Sequence, residues 1–301
     1  MRLPQRDFDR AIDWLLAYAR PLERAQTRMI FLHEPEGEVV TTLGAYQNPD
    51  GGFGHGLEAD LRSPLSSVLC THVALEVAAE LTTATSLVES AVRYLAAVYD
   101  PEYQYWPFLD EAATADPHAP WWSGRSAEED QFSINPMLLA LSWVTRYQQF
   151  IPDFPLETVS AHALTCLVDH PQDFSKDAVA CCLHYLEVAS PQERDRIESL
   201  LLNQVPDRIE RDASQWGGYC MRPLDIVSSP NSLLYDCAAD VIPENIEYLF
   251  ETQQDNGCWV PNWSWRGQFP EAWEDAHLEW SGVTTLRTLR QLQAFDALPE
   301  V

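Results

Sequence analysis

Two stretches of this 301-residue chain concentrate side chains able to move a proton. The first, His55-Gly56-Leu57-Glu58-Ala59-Asp60-Leu61-Arg62, follows a glycine turn. A loop carboxyl kept protonated by apolar surroundings can protonate an alkene. That proton must be delivered away from water, which would quench the resulting cation. Glu58 and Asp60 are the candidate acids, with His55 beside them as a third catalytic candidate. Arg62 can orient one of the acids, although its charge also favours the ionised carboxylate. The structural alternative is a capping and ion-pair cluster around Ser63 and Ser66.

The second stretch is Trp273-Glu274-Asp275-Ala276-His277-Leu278-Glu279-Trp280, downstream of Trp263 and Trp265. Glu274 and His277 are three apart and share a helical face. Ring faces attract a carbocation, and they suit a sugar equally well. Phe53, Arg62, Trp263, Trp265, Asp275, His277 and Trp280 are therefore the candidate substrate-binding residues. In a glycosidase reading, Asp60 and Glu274 would flank the scissile bond about 5–10 Å apart. The structural alternative is a solvated helix start whose tryptophans pack against neighbouring helices. Asp236, Cys237 and His277 offer zinc-ligand types, but adjacent helical residues point in different directions. Cys181-Cys182-x-His184 also lacks ligand spacing, so no metal is expected. Phosphate-binding glycine loops and a serine nucleophile elbow are missing from the sequence, and no cofactor is expected.

These residues need a scaffold, and helical periodicity dominates the chain. Phe8, Ile12, Leu15, Leu16 and Ala19 share one face at three- and four-residue steps. Similar patterns cover 22–33, 37–47, 65–81, 84–98, 133–149, 156–169, 176–189, 192–204, 231–239, 243–253 and 275–295. With the first segment they predict about twelve helices in six hairpins, an all-α fold in one domain over 1–301. Residues 100–131 and 205–230 are too long for ordinary connections and read as lids or decorated loops. Tyr103, Tyr105, Trp106 and Phe108, with Trp121 and Trp122, could cover a cavity mouth.

A loop pattern recurs. Gln47-Asn48-Pro49-Asp50-Gly51-Gly52-Phe53 and Gln253-Gln254-Asp255-Asn256-Gly257-Cys258-Trp259 both fit Gln-x3-Gly-x-aromatic. Weaker echoes are Asp130-Gln131-Phe132, Gln172-Asp173-Phe174 and Gly217-Gly218-Tyr219. The aromatic positions recur at roughly forty residues, the first interval being about twice that, as a hairpin repeat would. Glycine permits the positive φ of a tight helix exit. The glutamine amide can bond freed backbone groups, and the ring can plug the gap beside the next helix.

Tyr248-Leu249-x3-Gln253-x3-Gly257-x-Trp259 resembles the QW repeat of squalene–hopene cyclases and related prenyltransferase-like α/α toroids, and Gln47, Gly51 and Phe53 give a second copy. The runs from Ala45 to Leu75 and from Trp263 to Leu292 are similar to small bacterial prenyltransferase or squalene-cyclase repeat proteins. The resemblance implies an (α/α)6 toroid with inner and outer helices around a central cavity. This sequence has neither the Asp-x-Asp-Asp acid tetrad of class II terpene cyclases nor the Asp-Asp-x-x-Asp of class I enzymes.

With 46 acidic against 19 basic residues the net charge is −27, which repels nucleic-acid backbones and anionic membrane surfaces. No apolar run is long enough to span a bilayer, and the first residues lack the apolar core of a secretory signal. Seven cysteines scattered through helical segments suit reduced thiols, so a cytoplasmic location is expected. The leading expectation is a terpenoid-cyclase-like protein that binds a small apolar, isoprenoid-like molecule and cyclises or isomerises it by acid catalysis. A carbohydrate-active (α/α)6 enzyme and a non-catalytic binding toroid are the alternatives.

Overall fold

The computed structural model describes residues 1–109, 111–124, 130–169 and 174–300. Among them are thirteen α-helices and no strand longer than isolated bridges. The helices are α1 (Gln5–Tyr18), α2 (Pro21–Phe31), α3 (Gly37–Gly44), α4 (Val68–Ala78), α5 (Thr85–Ala97), α6 (Ile134–Arg146) and α7 (Leu156–Asp169). They continue with α8 (Lys176–Leu186), α9 (Pro191–Gln204), α10 (Pro223–Ile226), α11 (Tyr235–Ala238), α12 (Ile242–Glu251) and α13 (Pro270–Ala294).

Most helices lie where periodicity places them, and the ends are set by local chemistry. Pro21 opens α2 at a position whose N–H would have no helical partner anyway. Ser67 caps α4 by accepting from the Cys70 N–H at 3.0 Å, so the cap is Ser67 and not Ser63 or Ser66. Ser175 caps α8 in the same way. Three expectations shift. The last helix starts at Pro270, not 275, because Phe269 in a left-handed conformation (φ 44°) turns the chain into it. The segment 231–239 shrinks to the single turn of α11, and the stretch 205–230 contains another, α10.

The chain divides into two compact units, one formed by residues 1–39 with 198–301 and the other by 40–197. In the unit of residues 40–197, α6 is the central helix. It packs on α4, α5, α7 and α8, and its residues from Pro136 to Val144 are buried except for Leu139. Leu75, Leu95, Ala163 and Cys182, one on each of those four helices, are buried as well.

The other unit is made from both chain ends. Here α1 packs on α2 and α13, and α2 also packs on α13. The Leu3 N–H donates to the Ala297 carbonyl at 2.8 Å. Ala11, Ile12, Trp14 and Leu15 form the buried stripe of α1, while Leu286, Leu289 and Leu292 supply that of α13.

Candidate functional site

The two glycine loops are built alike, contact for contact. Gln47 Nε2 donates to the Gly51 carbonyl at 2.9 Å and to the Leu87 carbonyl at 3.1 Å. Gln253 Nε2 donates to the Gly257 carbonyl at 2.8 Å and to the Asp7 carbonyl at 2.9 Å. Gly51 has φ +91°, and a Cβ there would lie 2.5 Å from the Ser90 carbonyl oxygen. Gly257 has φ +101°, and a Cβ there would lie 2.5 Å from that of Arg10. The Phe53 N–H donates to Thr71 Oγ1 at 3.1 Å and the Trp259 N–H to Thr285 Oγ1 at 2.9 Å. Each corner thus ties three helices: the one before it (α3 or α12), the one after it (α4 or α13), and the first turns of a third (α5 or α1). The glutamine bonds its own loop and that third helix, rather than the end of its own helix.

Two of the weaker echoes do not reproduce this geometry. Tyr219 is 75% exposed and Phe132 39%, so neither ring plugs a gap. Near the third echo the buried ring is Trp216, whose Nε1 donates to the Glu210 carbonyl. Gln172 and Asp173 lie outside the described residues.

In the segment after the first corner the predicted residues separate by environment. Phe53 is buried at 1% exposure and is part of the corner itself. His55 adopts φ 57° at the surface, its Nε2 2.9 Å from Asn48 Oδ1, and so serves the loop. Glu58 is half-buried and accepts from the Asp60 N–H at 3.3 Å. Asp60 is buried at 3% exposure, in a run where Leu57, Ala59 and Leu61 are buried too. Its carbonyl accepts from the Ala119 N–H, and the Arg62 N–H donates to the Pro117 carbonyl. The Arg62 guanidinium lies against the turn at Gly56. The connection after α5 therefore holds the acid-bearing loop down.

The tryptophan segment gathers in two groups. Trp263 and Trp280 meet edge to face at 5.0 Å. Both indole nitrogens are buried, and among the described residues neither finds an acceptor. Trp265, fully buried, contacts Trp273 at 5.6 Å, and Trp273 contacts His277 at 5.4 Å. Asp275 and Glu274 are exposed on the first turns of α13. Among the described residues, no group of three or more His, Cys, Asp or Glu is arranged to hold a metal ion.

Two polar clusters escape sequence inspection. In the unit of residues 40–197, Trp143 Nε1 donates to His72 Nδ1 at 2.9 Å, and His184 packs 4.7 Å from the Trp143 ring and 5.5 Å from that of His72. An indole N–H can only donate, so the His72 proton sits on Nε2, which faces Glu76 Oε1 at 3.5 Å. Burial, reinforced by the neighbouring His72, holds the His184 pKa down to about 4, so its ring is neutral at pH 7. In the other unit, Arg20 and Glu23 form a buried two-point ion pair at 2.9 and 2.5 Å, with Glu279 at 3.7 Å from Arg20. Both residues of that pair lie three apart on one turn, the only hint visible in the sequence.

No helix of the described residues is long and apolar enough to cross a membrane. No family model, curated protein or solved structure matches this chain.

Proposed function

We propose that the chain is an α/α toroid of six hairpins that binds a small apolar, isoprenoid-class molecule, with Asp60 as its proton donor. The observation that carries it is the equivalence of the two corners. The first corner grips the helix that follows its hairpin, α5; the last grips α1, the helix that begins the chain. A ring is the arrangement in which the last hairpin's next neighbour is the first.

Asp60 is preferred over Glu58 because it is the buried carboxyl of the pair, and a proton bound for an alkene must be kept from water. Within the unit of residues 1–39 and 198–301, the indole rings of Trp263, Trp265 and Trp280, with His277 beside Trp273, are aromatic groups of the kind that a cationic intermediate favours. His55, Phe53 and Arg62 shape the loop that carries the acid.

Native mass spectrometry and solvent extraction of freshly purified protein test the binding. A co-purifying polyprenyl compound, or saturable binding of added polyprenyl diphosphates or alcohols, is expected. A protein that is empty and ignores these compounds would sink the proposal. For the acid, Asp60→Asn should abolish any turnover that Glu58→Gln leaves measurable; turnover surviving in Asp60→Asn removes the assignment.

A further inference from the structure

The corner equivalence extends to two grooves, one in each unit, and among the described residues only the first is walled by the connection that follows its outer helix. The groove beside the first corner encloses about 390 Å³ and is lined by Asp50 from the corner, Ser67 at the cap of α4, Tyr94 and Val98 at the end of α5, and Pro107-Phe108-Leu109. The groove beside the last corner, about 470 Å³, is lined at the matching positions by Asn256, Ser281, Trp14 and Tyr18, together with Val260 and Leu278. The match follows from the corner contacts, in which Asp7 and Arg10 stand where Leu87 and Ser90 do, and Thr285 where Thr71 does.

What differs is the connection that follows the outer helix. After α5 the chain runs on to residue 133 before α6 begins, and it lays Phe108 against the first groove at 4% exposure. Between α1 and α2 lie only Ala19 and Arg20. A two-residue connection cannot supply a wall, and Tyr18 (62%), Leu278 (47%) and Val260 (37%) stay exposed. Clustered exposed apolar side chains around a concave surface are the usual mark of a binding site. The segments forming this groove also carry Asp13, Asp255, Glu274 and Asp275 at the surface.

We propose that this second groove receives from a partner polypeptide a proline–aromatic–aliphatic segment like the Pro107-Phe108-Leu109 that the first receives from its own chain, but flanked by basic residues. Proline lowers the ordering cost, the ring and the aliphatic side chain cover Tyr18 and Leu278, and the basic flanks answer the exposed acidic residues of the groove-forming segments. The proposal does not depend on the toroid or on the acid role of Asp60.

The probe is a fluorescent peptide of this chain's own Tyr105–Leu109 sequence with two lysines at each end, titrated with the full chain and followed by anisotropy. Saturable binding is expected. Alanine in place of Phe108 in the peptide, or Leu278→Glu or Tyr18→Ser in the protein, should each raise Kd tenfold or more, about 1.4 kcal/mol. Leu65→Glu, an exposed site at the first groove, should leave Kd unchanged. All the substituted side chains of the protein are exposed, so the variants should fold, as circular dichroism will check. Failure to saturate by about 1 mM, equal binding of a scrambled peptide, or binding indifferent to Tyr18 and Leu278 overturns the proposal.

Discussion

The side chain of Gln253 donates to the backbone carbonyl of Asp7, 246 residues earlier in the chain, at 2.9 Å. Gln47 makes the same bond to Leu87, 40 residues later. One loop design therefore serves both a local neighbour and the far terminus. Each glutamine satisfies two backbone carbonyls on different segments, so its loss leaves two acceptors short of a donor. Gln253→Leu should cost roughly 1–3 kcal/mol. Hydrogen exchange should then show faster opening at the start of α1 than Gln47→Leu causes there; equal rates at α1 would contradict the assignment.

The glycines of the corners are required twice over, by positive φ and by a backbone carbonyl where a Cβ would sit. Gly51→Ala and Gly257→Ala should each destabilise their unit by about 2–4 kcal/mol, combining dihedral strain and overpacking. Gly267 has φ +84°, but beyond its chain neighbours no atom lies within 4 Å of where a methyl group would stand. Gly267→Ala should therefore cost only about 1 kcal/mol. Urea midpoints compare the three. A Gly257→Ala cost no greater than that of Gly267→Ala would mean the close approach to Arg10 is relieved cheaply.

Thr285 and Thr71 each accept the N–H of a corner aromatic residue from within a helix. Valine matches threonine in shape but offers no acceptor. Thr285→Val and Thr71→Val should lose about 1–3 kcal/mol by leaving a buried N–H unpaired, while Thr→Ser at either position should lose less. Thermal unfolding of the four variants gives the order, and valine outlasting serine would be evidence against the bond.

His184 makes stability depend on pH. Its folded pKa near 4 lies below the unfolded value of 6.5, so between those limits the unfolded chain binds more protons. Stability contributed by the neutral ring is complete above about pH 6.5 and falls as pH drops toward 4, by up to about 1.4 kcal/mol per pH unit. His184→Gln should flatten that part of the profile. An unchanged slope between pH 6.5 and 4 would mean another group carries it.

Helix positions are legible in the sequence because apolar spacing and proline or serine starts are local signals. The two strong corners are legible because positive φ leaves glycine, and a buried plug leaves an aromatic ring, at fixed offsets. Two of the weaker echoes mislead because Phe132 and Tyr219 satisfy spacing without burial, which depends on neighbours distant in sequence. The same reason hides the His72–Trp143–His184 cluster: three helices must pack before those rings meet. Asp60 and Glu58 look interchangeable in the chain, and only packing separates the buried acid from the half-exposed one. The start of α13 escapes notice since Phe269, not a polar cap, precedes Pro270.

Ring closure is the claim on which the proposed function stands, and small-angle X-ray scattering on the size-selected monomer tests it most directly. A closed toroid is compact, and a compact domain of this length has a radius of gyration of about 19 Å with a single smooth peak in the pair-distance distribution. A clearly larger radius, with a long tail or a second maximum in that distribution, would contradict it.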